Sequence, residues 1–306
     1  MRASGNVVRV CLAGGIVAAC LSLAPVLAVA QSWLPEEGSA SFSMAYSGTL
    51  NKKHYTSEGD EIDVGHTKTE IWTIGASYSP SDKVMIEASI PYVNARYKGC
   101  CPHPPALAGP IDDGEWHGYL TDLLVTAHYQ ASEGPIAFAP YVGIVIPTND
   151  YPTMGHSAPG RGLDEYWLGF YTATSLNEWI PRTYVEMRGN YAWVEEVKDV
   201  AHDRINTTLE LGYYFNAAVS ARLFWARQWT QGGIDLPVPP TDPLFHYHDQ
   251  LSDDEFINVG GGFSWMMSDR IEVFGLYTES IAGWNSHKVD QRVTIGMSYG
   301  TSHARH

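Results

Sequence analysis

Residues 39–50 read SASFSMAYSGTL, and the alternation inside this stretch decides the fold. Its even positions are Ala40, Phe42, Met44, Tyr46, Gly48 and Leu50, and its odd positions are Ser39, Ser41, Ser43, Ala45, Ser47 and Thr49. One face is apolar and the other hydroxylated. That is the period of two of a β-strand, which helical spacing does not produce.

The alternation returns in RTYVEMRGNYAW (182–193) and DRINTTLELGYYF (203–215). Twelve such segments are predicted, near 39–50, 67–78, 84–97, 117–130, 136–147, 165–176, 181–193, 203–215, 218–229, 255–267, 270–281 and 288–299. Each runs about eleven to fourteen residues, enough to cross a bilayer at a tilt, whereas globular strands average five or six.

The connections alternate in length. SPSDK (79–83), ASEGP (131–135), NEWI (177–180), NA (216–217) and SD (268–269) are tight, while 51–66, 98–116, 148–164 and 230–254 are long. An up-and-down barrel with short periplasmic turns and long extracellular loops produces this rhythm, and a Greek-key sandwich does not. The predicted fold is all-β: a single up-and-down transmembrane antiparallel β-barrel of about twelve strands. Aromatics near strand ends, among them Trp72, Tyr78, Tyr92, Tyr129, Trp193, Phe215, Trp229, Trp265 and Tyr299, suit the two interfacial girdles.

The ends agree with export. Residues 1–30 carry Arg2 and Arg9, an apolar stretch, and Ala28-Val29-Ala30 before Gln31, as a cleaved secretory signal peptide does. Val17-Ala18-Ala19-Cys20 resembles a lipoprotein cleavage box, but the apolar run continues past Cys20. The barrel is expected over 31–300, ending in RVTIGMSYG (292–300), which resembles the terminal strand recognised by the barrel-insertion machinery; a short tail, 301–306, follows. After residue 30 no run of eighteen apolar residues suggests a transmembrane helix. A net charge of −15 argues against nucleic acid as a partner. The expected location is the outer membrane of a Gram-negative envelope, with its lipid and lipopolysaccharide as partners.

Turning the apolar face outward sends Glu87, Asp122, Arg182, Glu186, Arg188, Arg204, Glu210, Arg222, Glu272, Asp290 and Arg292 into the lumen. Such charges either brace the barrel as ion pairs or line a polar path, since an isolated buried charge costs several kcal/mol. Twelve strands enclose a narrower bore than a sixteen-stranded porin. A restricted conduit for a small-molecule solute is therefore expected, and a structural barrel without transport is the bland alternative.

ASIPYVNARY (88–97), GYLTDLLVTAHY (118–129) and APYVGIVIPTNDY (139–151) resemble three successive elements of the phenol-degradation (meta-pathway) outer-membrane protein family. Ile90-Pro91-Tyr92, Asp122 and Pro147-Thr148 fit its pattern; Asn149 stands where that family has glycine, and Tyr119 and Leu120 replace a simpler Gly-rich stretch. The resemblance implies outer-membrane transport of hydrophobic or aromatic compounds.

Chemistry-bearing residues gather in the loops. Of twelve histidines, His54, His66, His103, His117, His156, His202, His246, His248 and His287 fall in or beside long connections. FHYHD (245–249) would place His246 and His248 on one side of an extended segment, and a third ligand such as His103 would complete a zinc or copper site. A surface metal-binding barrel is the alternative function. In GCCPHPP (99–105), adjacent Cys100 and Cys101 permit a vicinal disulfide in an oxidising compartment, a bond to another molecule, or metal ligation. No G-x-S-x-G or H-E-x-x-H motif is present, so no enzyme activity and no cofactor are expected.

Overall fold

A computed structural model describes residues 32–100, 103 and 110–301. The expected signal peptide (1–30), Cys101 and residues 302–306 of the tail lie outside these.

Twelve long strands follow one another: β1 (Ala40–Asn51), β2 (His66–Ser81), β3 (Val84–Lys98), β4 (His117–Leu120 continued by Asp122–Tyr129), β5 (Ile136–Pro147), β6 (Glu165–Ser175), β7 (Thr183–Val194), β8 (His202–Tyr214), β9 (Val219–Gly232), β10 (Glu255–Ser268), β11 (Ile271–Trp284) and β12 (Gln291–Gly300). Each pairs antiparallel with the next. The ring closes where β12 meets β1, from Ser41 opposite Gly300 to Leu50 opposite Gln291. Closure leaves no open sheet edge, so the wall's backbone pairs strand to strand rather than with water.

Burial is inverted relative to a water-soluble protein. Phe42, Ile74, Val142, Leu223 and Phe263 lie on the outer wall, each more than half exposed, while Thr69, Gln228, Glu186 and Arg222 are buried. In β1 the predicted phase holds, with Phe42 and Met44 outside and Ser43, Ala45 and Thr49 inside. An apolar wall around a polar interior is the arrangement that lipid outside and polar contacts inside select.

The tight turns have local causes. Asn216 Oδ1 accepts from the amides of Ala218 (2.8 Å) and Val219 (3.0 Å), reversing the chain between β8 and β9. Ser268 Oγ accepts from the Arg270 amide at 3.3 Å between β10 and β11. β4 breaks at Thr121, beside Pro91 of β3. Proline has no N–H to give the ladder, and the Thr121 amide donates to the Pro91 carbonyl at 3.0 Å across the gap.

Two predicted lumen charges sit elsewhere. Arg182 lies in the turn before β7, exposed, at φ 65°, with Nη1 donating to the Phe215 carbonyl at 2.7 Å. Asp290 lies in the connection before β12, where its carboxylate accepts from the Lys52 amide at 2.5 Å. Both strands begin later than the residue pattern suggested, and a charge at a strand end belongs to a turn.

Candidate functional site

The lumen is filled in three tiers. At the short-turn end, residues preceding β1 enter the barrel. Leu34 packs against inward Met85 and Ala139, beside Tyr171. Ser32 is fully buried; its hydroxyl donates to Glu186 Oε2 at 3.1 Å. Gln130, at the end of β4, donates to the Ser32 carbonyl (2.8 Å) and accepts from the Leu34 amide (2.7 Å). A side chain that pairs both polar groups of a neighbouring backbone replaces the water this segment loses.

The middle tier carries the inward charges. Glu210 accepts from the Tyr184 hydroxyl at 2.7 Å and faces Arg222 Nη1 at 3.9 Å. Arg292 Nε donates to Thr49 Oγ1 at 2.9 Å, and Glu272 is buried on β11. Glu87 lies 4.0 Å from His128 Nε2, with the charge of Arg188 acting on it. His128, Tyr141 and Tyr171 form an aromatic group with ring centroids 5.0–5.5 Å apart. Tyrosines therefore share the interior with the charges.

Toward the long-loop end the pairs become tighter. Arg204 pairs with Glu165, whose other oxygen accepts from Trp167 Nε1 at 2.8 Å. Arg161, in the connection 148–164, pairs with Asp254, which also accepts from Gln228 Nε2 at 3.0 Å. Asp122 accepts from the hydroxyl of Tyr151, whose oxygen takes the Gly162 amide at 2.8 Å. Thus the predicted Arg204 and Asp122 have their partners, and those partners went unread. Glu165 shares the inward phase of β6 and was legible by alternation; Arg161, Tyr151 and Asp254 lie where alternation stops.

The upper tier is made of loops folded inward. Met154, Leu236, Val238 and Phe245 form one small apolar core, and Leu163, Ala192, Val194 and Leu251 another. Between the loops runs a file of buried imidazoles. Ring centroids of His287 and His54 are 3.9 Å apart, His54 and His156 5.4 Å, His156 and His103 4.7 Å, and His103 and His248 5.3 Å. Asp112 anchors them, accepting from His103 Nδ1 (3.0 Å) and from the amides of His156 (3.0 Å) and Ser157 (3.1 Å). Burial alone would raise the Asp112 carboxyl; the His103 hydrogen bond and the adjacent His156 hold it well below its ordinary value. For His103, burial works against the charged form, and the carboxylates of Asp249 and Asp112 raise its pKa in spite of it.

His103 and His248 are thereby brought together, with Nε2 atoms 3.2 Å apart, and Asp249 stands beside both. The expected pairing of His246 with His248 does not form. Phe245–Tyr247 is a 3₁₀ turn, so His248 shares the inward face with Phe245 three residues back, and His246 points to solvent. Cys100 is exposed after β3, and its pairing with Cys101 falls outside the described residues.

No family model matches the sequence, and no curated protein matches it, so the family resemblance rests on the residues that carry it. Solved structures do match. The chain is similar to the COG4313 outer membrane channel from Pseudomonas putida F1, with a TM-score of 0.67 at 15% identity over 87% of this chain and 96% of that one. It also matches the β domain of the Bordetella autotransporter BrkA (TM-score 0.49, 11% identity, 86% and 99% covered) and the translocator domain of the autotransporter NalP from Neisseria meningitidis (0.47, 9%, 89% and 92%). The first likeness establishes the fold: the chain folds as an outer-membrane barrel.

Proposed function

We propose that this protein is an outer-membrane channel for small, hydrophobic or aromatic solutes, with the long loops outside the cell and the short turns in the periplasm. One observation carries the reading: charged and tyrosine side chains face inward along the whole barrel, behind a wall whose outer face is apolar. A barrel needed only as a scaffold gains nothing from burying Glu186, Arg222, Glu272 and Arg292, because buried charges cost free energy unless each is well paired. Mixed signs give the path a field without committing it to one ion. Tyr141, Tyr171, Tyr184 and Tyr214 give it flat, partly apolar surfaces on which an aromatic solute can slide.

The family resemblance of residues 88–151 supports the solute class, and the first structural neighbour, itself described as an outer membrane channel, supports transport. In this reading the N-terminal segment and the inward loops restrict the two ends, and no catalytic step is involved. Proteoliposome swelling with phenol-sized aromatics and with sugars of equal size tests it: faster entry of the aromatics is expected, and exclusion of both would remove the transport reading.

A further inference from the structure

We infer that His103, His248 and Asp249 form a binding site for a divalent transition metal ion of the zinc class, clamping the long loops over the barrel mouth. The inference goes beyond the channel reading and does not depend on it.

The outer partners of the two imidazoles set the tautomer of each neutral ring. His248 Nδ1 meets the Phe245 carbonyl, which can only accept, so the proton sits on Nδ1. His103 Nδ1 meets Asp112, which already accepts from three backbone amides, those of His103, His156 and Ser157, and from the Ser157 hydroxyl. Its proton sits on Nδ1 as well. Both Nε2 atoms therefore present lone pairs, and they face each other at 3.2 Å. Asp249 adds two more lone-pair donors, Oδ1 at 3.2 Å from His248 Nε2 and Oδ2 at 3.4 Å from His103 Nε2. Four electron-rich atoms converging on one buried point repel unless a cation lies among them.

The spacing selects the cation. Two nitrogens held about 2.0–2.1 Å from a zinc ion at the tetrahedral angle stand about 3.3–3.4 Å apart, within about 0.2 Å of the 3.2 Å separation seen here. A proton would draw the nitrogens together too, but it brings one positive charge to a pocket holding two carboxylates, Asp112 and Asp249; a divalent ion balances both. The guanidinium of Arg161 offers no substitute, being committed to Asp254. Two imidazoles favour zinc-class ions over magnesium or calcium, which prefer all-oxygen sites. A carboxylate gripping the far nitrogen of a ligand histidine, as Asp112 grips His103, is the usual support of such centres.

The ligands come from loops 98–116 and 230–254, and the Gly155 amide, donating to Asp249 Oδ2 at 2.6 Å, ties in loop 148–164. One ion thus fastens three loops.

The test uses the mature protein folded in detergent micelles, without an affinity tag, stripped with EDTA and titrated calorimetrically with zinc chloride. One equivalent should bind, and His103→Ala, His248→Ala and Asp249→Asn should each weaken binding at least about ten-fold, while His246→Ala leaves it unchanged. Heat-modifiable gel mobility confirms that each barrel is folded. Cobalt(II) added to the unaltered protein should give the intense visible absorption of a four-coordinate centre, a readout free of any mutation. Absence of zinc binding by the unaltered protein, or equal affinity in folded His248→Ala, would overturn the assignment.

Discussion

Ser32 donates its hydroxyl to Glu186 Oε2 at 3.1 Å inside the barrel, joining the start of the described chain to the wall of β7 across 154 residues. The bond adds to the Leu34 packing and the Gln130 hydrogen bonds that hold this segment in the lumen. A hydrogen bond contributes about 0.5–1.5 kcal/mol, so Ser32→Ala, which removes the donor, should raise the fraction of time the segment is displaced by roughly several-fold. Open-channel bursts in planar bilayers would show it; burst frequency equal to that of the unaltered protein would mean that the segment is held by Leu34 packing and Gln130 alone.

The Arg204–Glu165 pair should behave as a buried ion pair does. Glu165→Gln leaves a guanidinium without its counter-charge, and such half-removals cost about 3–5 kcal/mol. Replacing both residues with methionine should recover much of that loss. Urea unfolding from lipid bilayers, followed by tryptophan fluorescence, measures both variants.

On the outer wall the rule reverses. Ile74, on the exposed face of β2, lies opposite Met44 of β1 and Ile90 of β3. Ile74→Arg should destabilise the bilayer-inserted barrel by about 2–4 kcal/mol, the cost of arginine near the midplane of a barrel wall. Gly75→Ser, at a neighbouring inward position, is a poor control, because its Cβ would stand 2.6 Å from Ser43 Oγ.

Asp253, in the loop before β10, gives a pH dependence. Burial first, then the carboxylates of Glu255, Asp235 and Asp254, push its pKa up to about 6 in the folded loop. An acid whose folded pKa exceeds its unfolded value of about 3.9 binds protons more tightly when folded, so the loop is weakest above about pH 6 and firms as pH falls toward 4. Hydrogen exchange at the amides of Ile234 and Asp253, which pair with Leu251 and Ile234 carbonyls at 2.8 and 3.0 Å, should slow over that range. Compared at each pH, Asp253→Asn should be better protected than the unaltered protein at pH 7 and equal to it at pH 4.

The strands were legible because a barrel wall imposes one constraint, period two, on every residue it contains, and β1 follows it from Phe42 to Thr49. Strand ends were less so: Arg182 and Asp290 obey the alternation but sit just outside the ladder. Loops carry no such period. His103 and His248 could be suspected as partners, with Asp249 next to His248 in the chain, yet Asp112 and His156 could not be added, because what joins them to the others is the inward folding of separate loops. His246 misled for a local reason. Asp242 Oδ1 accepts from the Leu244 amide at 2.8 Å, and the 3₁₀ turn that follows changes which residues share a face. The entry of Ser32 and Leu34 into the lumen left no mark in composition at all.

A polar lumen that serves as a conduit should conduct more freely once the N-terminal segment is removed from it. Current through single barrels in planar bilayers, recorded for residues 31–306 and for the same form lacking residues 32–37, tests this. Small discrete steps from the first and several-fold larger steps from the second are predicted. Silence from the shortened form, with its barrel shown to be folded, would contradict the assignment of the polar interior as a conduit.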